Sequence, residues 1–311
     1  MSDSGHSLDV VIPVYNEQES ILHLLNQLKT TLSSTFKALT FIIVDDGSTD
    51  YSLSEVRKFE NSFNTPIKYI RLSRNHGKDL ALKCGVDHAD SDLCCFIDGD
   101  LQHPPEKLIE AYDKLKQGYH IVHIMKKEYE TGRRYRRYST KLFSRILNAL
   151  SEYPIRITDF KLIDRKVIDL LKQMKESTYY NNGVIDMLGL KSATIWYEPQ
   201  ERRYGETKFN FVKLLNLSVF SIMSVSTKPL KLSIHLGLII SCVSFFYGLF
   251  ILFEKLFLGQ PIPGFVTLAV TMFFLGGIQL SFMGIIGLYL GKTFIESKNR
   301  PQYIIEHIVD L

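Results

Sequence analysis

The chain has 311 residues, 45% of them hydrophobic, and a formal net charge of +4 at pH 7. That is enough for a soluble domain of about 200 residues with a further apolar part. Its four cysteines, Cys84, Cys94, Cys95 and Cys242, have neither metal-ligand nor framework spacing, which excludes zinc-ribbon and disulfide-stapled classes and favours a reducing, cytosolic setting for the amino-terminal part. The first nine residues are polar, so no cleavable leader is expected.

Residues 8–13 form a short apolar strand that runs into Pro13-Val14-Tyr15-Asn16-Glu17, and Ile21, Leu24, Leu25, Leu28 and Leu32 then mark one face of a helix. The unit repeats with a strand at 39–44, the loop Asp45-Asp46-Gly47-Ser48-Thr49-Asp50 and a helix from Leu53, for which Thr49 or Asp50 is the expected cap. A third strand at 67–72 closes on Ser73-Arg74-Asn75-His76-Gly77-Lys78 before a helix through Leu80, Ala81, Cys84 and Val86. The fourth, Leu93-Cys94-Cys95-Phe96-Ile97, stops at Asp98-Gly99-Asp100-Leu101-Gln102-His103. Strands alternating with helices predict an α/β fold with a mostly parallel, Rossmann-like sheet, whose ligands gather outside the carboxyl ends of the strands.

Those strand ends carry the chemistry. In an extended segment Asp98, Asp100 and Gln102 point to one side, and three oxygen donors facing one point suit Mg2+ or Mn2+ shared with nucleotide phosphates. A solvated turn is the competing reading. Tyr15 is placed to stack on a ring. Glu17 and the Asp45/Asp46 pair are placed to accept hydrogen bonds from a base or ribose, and Arg74 and Lys78 to meet phosphate. For Asn16, Gly47 and Ser48 turn chemistry explains the residue types equally well. No GxGxxG follows the first strand and no P-loop is present, which argues against dinucleotide oxidoreductases and P-loop NTPases.

Pro104-Pro105-Glu106 opens a helix through Leu115, and 121–125 is a further strand. Arg133, Arg134, Arg136 and Arg137, interleaved with Tyr135 and Tyr138, precede an apolar stripe through Leu150. This predicts an interfacial amphipathic helix over about 133–150 that meets anionic headgroups, with a nucleic-acid patch or a solvated helix as alternatives. Asp159 lies among apolar neighbours, suited to general-base work or to capping a helix. Arg202, Arg203 and Lys208 surround Gly205 in a loop fitted to anions or to juxtamembrane anchoring. A juxtamembrane amphipathic helix is expected over 211–228. Two apolar stretches, 232–253 and 265–290, are long enough to cross a bilayer. Lys228 and Lys231 precede the first, and Lys292, Lys298 and Arg300 follow the second, so both termini are expected in the cytoplasm. Gly287 and Gly291 form a small-xxx-small pair suited to close helix packing.

The series PVYNE (13–17), DDGSTD (45–50), RNHGK (74–78), DGDLQHPPE (98–106), TDFKLIDR (158–165), RRYGETKF (202–209), two spans and KNRPQYII (298–305) resembles the inverting family 2 glycosyltransferases. It is most similar to the polyprenyl-phosphate glycosyltransferases, the bactoprenol glucosyltransferase branch that shares its catalytic domain with dolichol-phosphate mannose synthase. The resemblance covers nearly the whole chain. Gly99 stands where Ala or Val is common, and Thr207 where Ser is frequent.

The resemblance implies a cytoplasmic GT-A catalytic domain over 1–210, the juxtamembrane helix, two transmembrane helices within 229–292 and a cytoplasmic tail over 293–311, in the inner membrane. It implies a metal and diphosphate motif of Asp98, Asp100 and Gln102 holding Mg2+ or Mn2+, and a nucleoside pocket of Pro13, Tyr15, Glu17 and Asp45/Asp46. It further implies a base or orienting residue at Asp159, and donor and lipid phosphates on Arg202, Arg203 and Lys208. The implied reaction transfers a sugar, by default glucose from UDP-glucose, to undecaprenyl phosphate. N-acetylhexosamines, mannose and an aminoarabinose-type pentose stay open, with residues 179–183 shaping that pocket. A homo-oligomer such as a tetramer, and a downstream flippase and second glycosyltransferase, are the implied protein partners, with no nucleic acid. The products of such enzymes decorate O-antigen, teichoic acids or lipid A. A processive polysaccharide synthase would need more spans and a QxxRW-like motif, neither of which is present; a scaffold with a degenerate catalytic domain is the other alternative.

Overall fold

The computed structural model describes residues 5–62, 65–127, 158–174, 181–198, 228–258 and 264–311. The interfacial helix at 133–150, the juxtamembrane helix expected at 211–228 (save Lys228, which begins the next helix) and the loop of Arg202, Arg203 and Lys208 lie outside the described residues, as do Arg133, Arg134, Arg136 and Arg137.

Four strand and helix units open the chain: β1 (Ser7–Val14), α1 (Ile21–Leu32), β2 (Ala38–Asp45), α2 (Ser52–Ser62), β3 (Ile67–Leu72), α3 (Lys78–Asp87), β4 (Leu93–Phe96) and α4 (Glu106–Lys116). β5 (Ile121–Lys126), β6 (Lys161–Asp164), α5 (Arg165–Gln173), α6 (Asn181–Met187) and β7 (Ser192–Tyr197) follow. The eight-stranded sheet runs β7-β5-β6-β4-β1-β2-β3-β8, where β8 (Ile305–Asp310) comes from the far end of the chain. β4, β1, β2 and β3 are parallel neighbours. β6 lies antiparallel to both β4 and β5, and β5 pairs in parallel with β7. The sheet is therefore mixed, with a parallel centre.

Alternation along the central strands buries both faces. Leu8, Val10, Ile12 and Val14 of β1 join the core beneath α1, α2 and α4, while Val11 joins the opposite core with α3, α5 and α6. The order in which strands are added reverses at β1: the first crossover leads to β2, and after β3 the chain returns to β4 on the other side. The crevice between the carboxyl ends of β1 and β4 is the switch point where such sheets hold ligands.

The buried thiols carry a pH signature. Burial pushes Cys84 up to about 12, and raises Cys94 and Cys95 as well. Stability from such groups is fully present below the ordinary thiol value near 9 and is lost as pH climbs towards the raised folded-state value. Each contributes a slope of about 1.4 kcal/mol per pH unit. Denaturant midpoints of the solubilised protein should fall above pH 9, and Cys94→Ala/Cys95→Ala should remove up to about 3 kcal/mol per pH unit of that slope. An unchanged slope in the double variant would contradict this assignment.

The helices α7 (Lys228–Leu258) and α8 (Phe265–Ser297) measure about 46 and 50 Å at 1.5 Å per residue, longer than a bilayer's hydrocarbon core. Their apolar windows, Ser233–Phe250 and Phe274–Ser297, have no buried residues in the isolated chain, and the second lies closer to the carboxyl terminus than the predicted span. α8 ends where Asn299 adopts φ +46 and Pro301 follows. Asn tolerates the left-handed conformation at such an end, and Pro cannot continue a helix.

Candidate active site

Seven of the predicted residues meet in one cleft of about 330 Å³ at the carboxyl ends of β1 to β4: Pro13, Tyr15, Glu17, Asp46, Lys78, Asp98 and Asp100. A larger groove of about 540 Å³ lies at the amino ends of the strands, around His6, Tyr112 and Arg165. The smaller cleft sits at the switch point and gathers the carboxylates, so it is the chemical candidate.

The loop after β1 turns at Asn16, whose φ is +57. It is stitched to the loop after β2: Asn16 N donates to Ser48 Oγ at 3.0 Å, Thr49 N to Asn16 Oδ1 at 2.8 Å, and Glu17 N to Ser52 Oγ at 3.1 Å. Tyr15 is left 48% exposed, with its ring at the cleft mouth. Burial raises the Glu17 carboxyl above its ordinary value; a hydrogen bond from Ser20 opposes this, and the charges of Asp100 and Asp98 reinforce it.

The adjacent carboxylates Asp45 and Asp46 divide their work. Asp45 is fully buried and accepts from Ser48 N at 2.7 Å and Tyr69 Oη at 2.7 Å, with Arg71 at 3.5 Å, so it builds the loop from beneath. Asp46 faces the cleft and accepts from the N–H groups of His76 at 2.6 Å and Gly77 at 2.9 Å, where α3 begins. Gly47, at φ +78, presses on the backbone of Arg74: a Cβ there would stand 2.8 Å from its carbonyl carbon. Arg74 itself is exposed and is not among the cleft-lining residues. Asp50, not Thr49, caps α2 by accepting from Ser52 N.

β4 stops at Phe96, so the row expected from strand alternation does not form. Asp98 to Gln102 instead occupy a turn in which Leu101 has φ +60 and Gln102 N donates to Asp100 Oδ1 at 3.2 Å. Asp98 and Asp100 open on the cleft, whereas Gln102 is not among its lining residues and its buried Nε2 has no hydrogen-bond partner among the described residues. Exchanging the amide ends would turn an oxygen the same way. Among the described residues no group of three or more His, Cys, Asp or Glu side chains is set to hold a metal. Two carboxylates open to the cleft fit a hard cation that completes its coordination with phosphate oxygens.

Lys78, the first residue of α3, joins the parts. Its Nζ lies 2.6 Å from Asp98 Oδ1 and 2.6 Å from Asp159 Oδ2. Desolvation pulls its pKa down but is outweighed by these two carboxylates, so the ammonium is held well above its ordinary value. Asp159 is thus ion-paired instead of enclosed by apolar groups, and the described helix that follows it, α5, is capped by Asp164, which accepts from Val167 N at 3.1 Å.

Two further residues were not singled out by sequence. His103 stacks on Phe160 with ring centroids 4.7 Å apart and meets Tyr197 edge-on, while its Nδ1 accepts from Asp98 N at 3.4 Å. Burial lowers its pKa, against the pull of Asp98 and Asp100. Its place within the carboxylate motif was the available signal. Lys161, fully buried in β6 beside His123 of β5, is pulled down to about 8 by burial, with Asp159 and Asp186 opposing. A lysine inside a short apolar strand is the visible mark.

The profile of glycosyl transferase family 2 matches residues 9–171, just over half of the chain. An uncharacterised glycosyltransferase of Synechocystis is 36% identical over 97% of this chain and 95% of its own. A prophage bactoprenol glucosyl transferase homologue of Escherichia coli is 33% identical over 97% and 99%, and the bactoprenol glucosyl transferase of Shigella phage SfV 32% identical over 96% and 98%. Among solved structures, glucosyl-3-phosphoglycerate synthase from Mycobacterium tuberculosis, in complex with Mn2+, UDP and phosphoglyceric acid, aligns with a TM-score of 0.50 and 18% identity over 71% of this chain and 78% of that one. The mixed sheet, its switch-point cleft and these likenesses together mean that the chain belongs to glycosyl transferase family 2, with a catalytic domain of the GT-A fold.

Proposed function

We propose that the cleft holds the nucleoside and diphosphate of a nucleotide sugar and that the enzyme transfers the sugar, with inversion, to polyprenyl phosphate at a membrane surface. The observation that carries this reading is the convergence of Glu17, Asp46, Asp98 and Asp100 from three strand ends, those of β1, β2 and β4, with Lys78 bridging Asp98 to Asp159. Asp46 and Glu17 accept hydrogen bonds from the nucleoside, and Tyr15 lies against its ring. Asp98 and Asp100 hold Mg2+ or Mn2+, which when bound offsets charge on the leaving diphosphate. The acceptor's phosphate oxygen forms the new bond to the anomeric carbon as the bond to the diphosphate breaks, and the nucleoside diphosphate departs. A phosphate monoester is largely ionised near pH 7, so no proton need be removed. Asp159, paired with Lys78, orients the acceptor or sugar.

Bactoprenol in the names of full-length relatives supports a polyprenyl acceptor, and their glucosyl activity makes UDP-glucose the first donor to test. The exposed apolar faces of α7 and α8 supply the membrane anchor. Residues 298–304 can span only about 25 Å between α8 and β8. This supports placing the carboxyl end of α8 on the catalytic domain's side; if both helices span, the amino end of α7 falls on that side too, and the flanking Lys228, Lys231, Lys298 and Arg300 favour the cytoplasm for it. Arg202, Arg203, Lys208 and the basic run at Arg133, Arg134, Arg136 and Arg137 are proposed contacts for phosphates and headgroups.

The test is transfer of label from a panel of nucleotide sugars to undecaprenyl phosphate by the purified protein with Mn2+ or Mg2+. The expected result is label in the organic phase from one donor, lost on adding EDTA. Failure to bind any nucleotide in the presence of metal would overturn the reading and leave a non-catalytic membrane scaffold.

A further inference from the structure

The last strand of the sheet reaches it from beyond both long helices. β8 runs antiparallel to β3, with Lys68 opposite Asp310 and Ile70 opposite Ile308. The pairing is closed at one end by reciprocal bonds between Ile67 and Leu311 at 3.0 and 2.8 Å, and at the other by Ser73 N donating to Ile304 O at 2.9 Å. Without it β3 would be an open edge beside the loop that carries His76, Gly77 and Lys78.

We infer that β8 is a positioning element of the donor site, acting through Glu306 and Arg71 on the loop that follows β2. This rests on the donor-site reading above. Glu306 Oε2 accepts from Arg71 Nε at 2.9 Å, across 235 residues of sequence. The same guanidinium reaches Asp45 Oδ2 at 3.5 Å and donates to Ser48 O at 3.1 Å. Ser48 in turn receives Asn16 N, so one arginine fixes the shape of both loops that present Asp46, Tyr15 and Glu17. A planar guanidinium has donors enough for all three partners, but only when its plane is set. Glu306 sets it from the outer edge. A second tie, Tyr303 Oη donating to Asp87 Oδ2 at 2.8 Å, holds the far end of α3, whose first residue is Lys78. The Glu306 and Arg71 side chains are 53% and 31% exposed, so the pair is partly screened and its influence on binding is graded.

The experiment uses the full chain. Glu306→Arg, which sets like charges face to face, should raise the dissociation constant for UDP with Mn2+, measured by calorimetry, at least about fivefold. The donor KM should rise in parallel while kcat stays within about twofold, and Glu306→Asp should recover most of the loss. Amide exchange across residues 45–50 should accelerate in Glu306→Arg with or without nucleotide. Unaltered UDP affinity and unaltered exchange would overturn the inference while leaving the donor site intact. Wild-type protein that binds no UDP, with exchange still faster in the variant, would overturn the donor-site reading and keep the structural link. Lys68 and Asp310 are a facing pair without mutual hydrogen bonds, close enough for a disulfide. Lys68→Cys/Asp310→Cys should crosslink within one chain, and a crosslinked dimer would show instead that β8 is exchanged between copies and overturn the single-chain account.

Discussion

Asp100→Ala is expected to lower kcat for sugar transfer by about 10³-fold or more, with the protein still folded and membrane-bound. Asp100 stands in a turn at the cleft, and among the described residues the hydrogen bond it accepts comes from Gln102 N. Losing that bond costs about 1 kcal/mol, too little to unfold a domain whose core fills both faces of an eight-stranded sheet. Chemistry and stability therefore separate at this position. Transfer of labelled sugar, read beside a thermal melt, measures both. Full activity in the variant would remove Asp100 from the metal and diphosphate site. Asp98→Asn is a less clean change, because Asp98 also holds Lys78.

Lys78→Met is expected to reduce kcat/KM by about 10²-fold to 10³-fold, with Lys78→Arg recovering part of it. The ammonium lies 2.6 Å from each of two carboxylates that belong to different elements, Asp98 after β4 and Asp159 before β6. Removing it leaves two like charges facing each other, and the loop at Asp159 loses its tie to the sheet's switch point. In the proposed donor complex the same cation meets the diphosphate. Steady-state kinetics with the labelled donor would test this, and a kcat/KM close to wild type would reduce Lys78 to a surface ion pair.

Much of the amino-terminal half was legible because its signals are local. The strand at 67–72 and the stripe Ile21, Leu24, Leu25, Leu28 and Leu32 agree with β3 and the buried face of α1. Seven of the residues named from the strand ends meet in the cleft, since a parallel sheet brings all its carboxyl ends to one edge. The sequence could not separate Asp45 from Asp46. They are adjacent and chemically identical, and only the packing of Tyr69 and Arg71 beneath one of them decides which faces the cleft. The expected row of Asp98, Asp100 and Gln102 failed for a local reason: β4 ends at Phe96 and Leu101 takes a positive φ, which pattern reading does not reveal in an aliphatic residue.

The sequence by itself determined the periodicity of the central strands and helices, the carboxylates that end them, and two apolar stretches long enough for a bilayer, because each depends on side chains a few residues apart. The tertiary structure alone decided that Lys78 joins Asp98 to Asp159, that β6 enters antiparallel between β4 and β5, and that the tail after α8 completes the sheet beside β3. Those contacts bring together residues tens to hundreds of positions apart, and their geometry follows from how strands pair and faces pack, which no local pattern encodes.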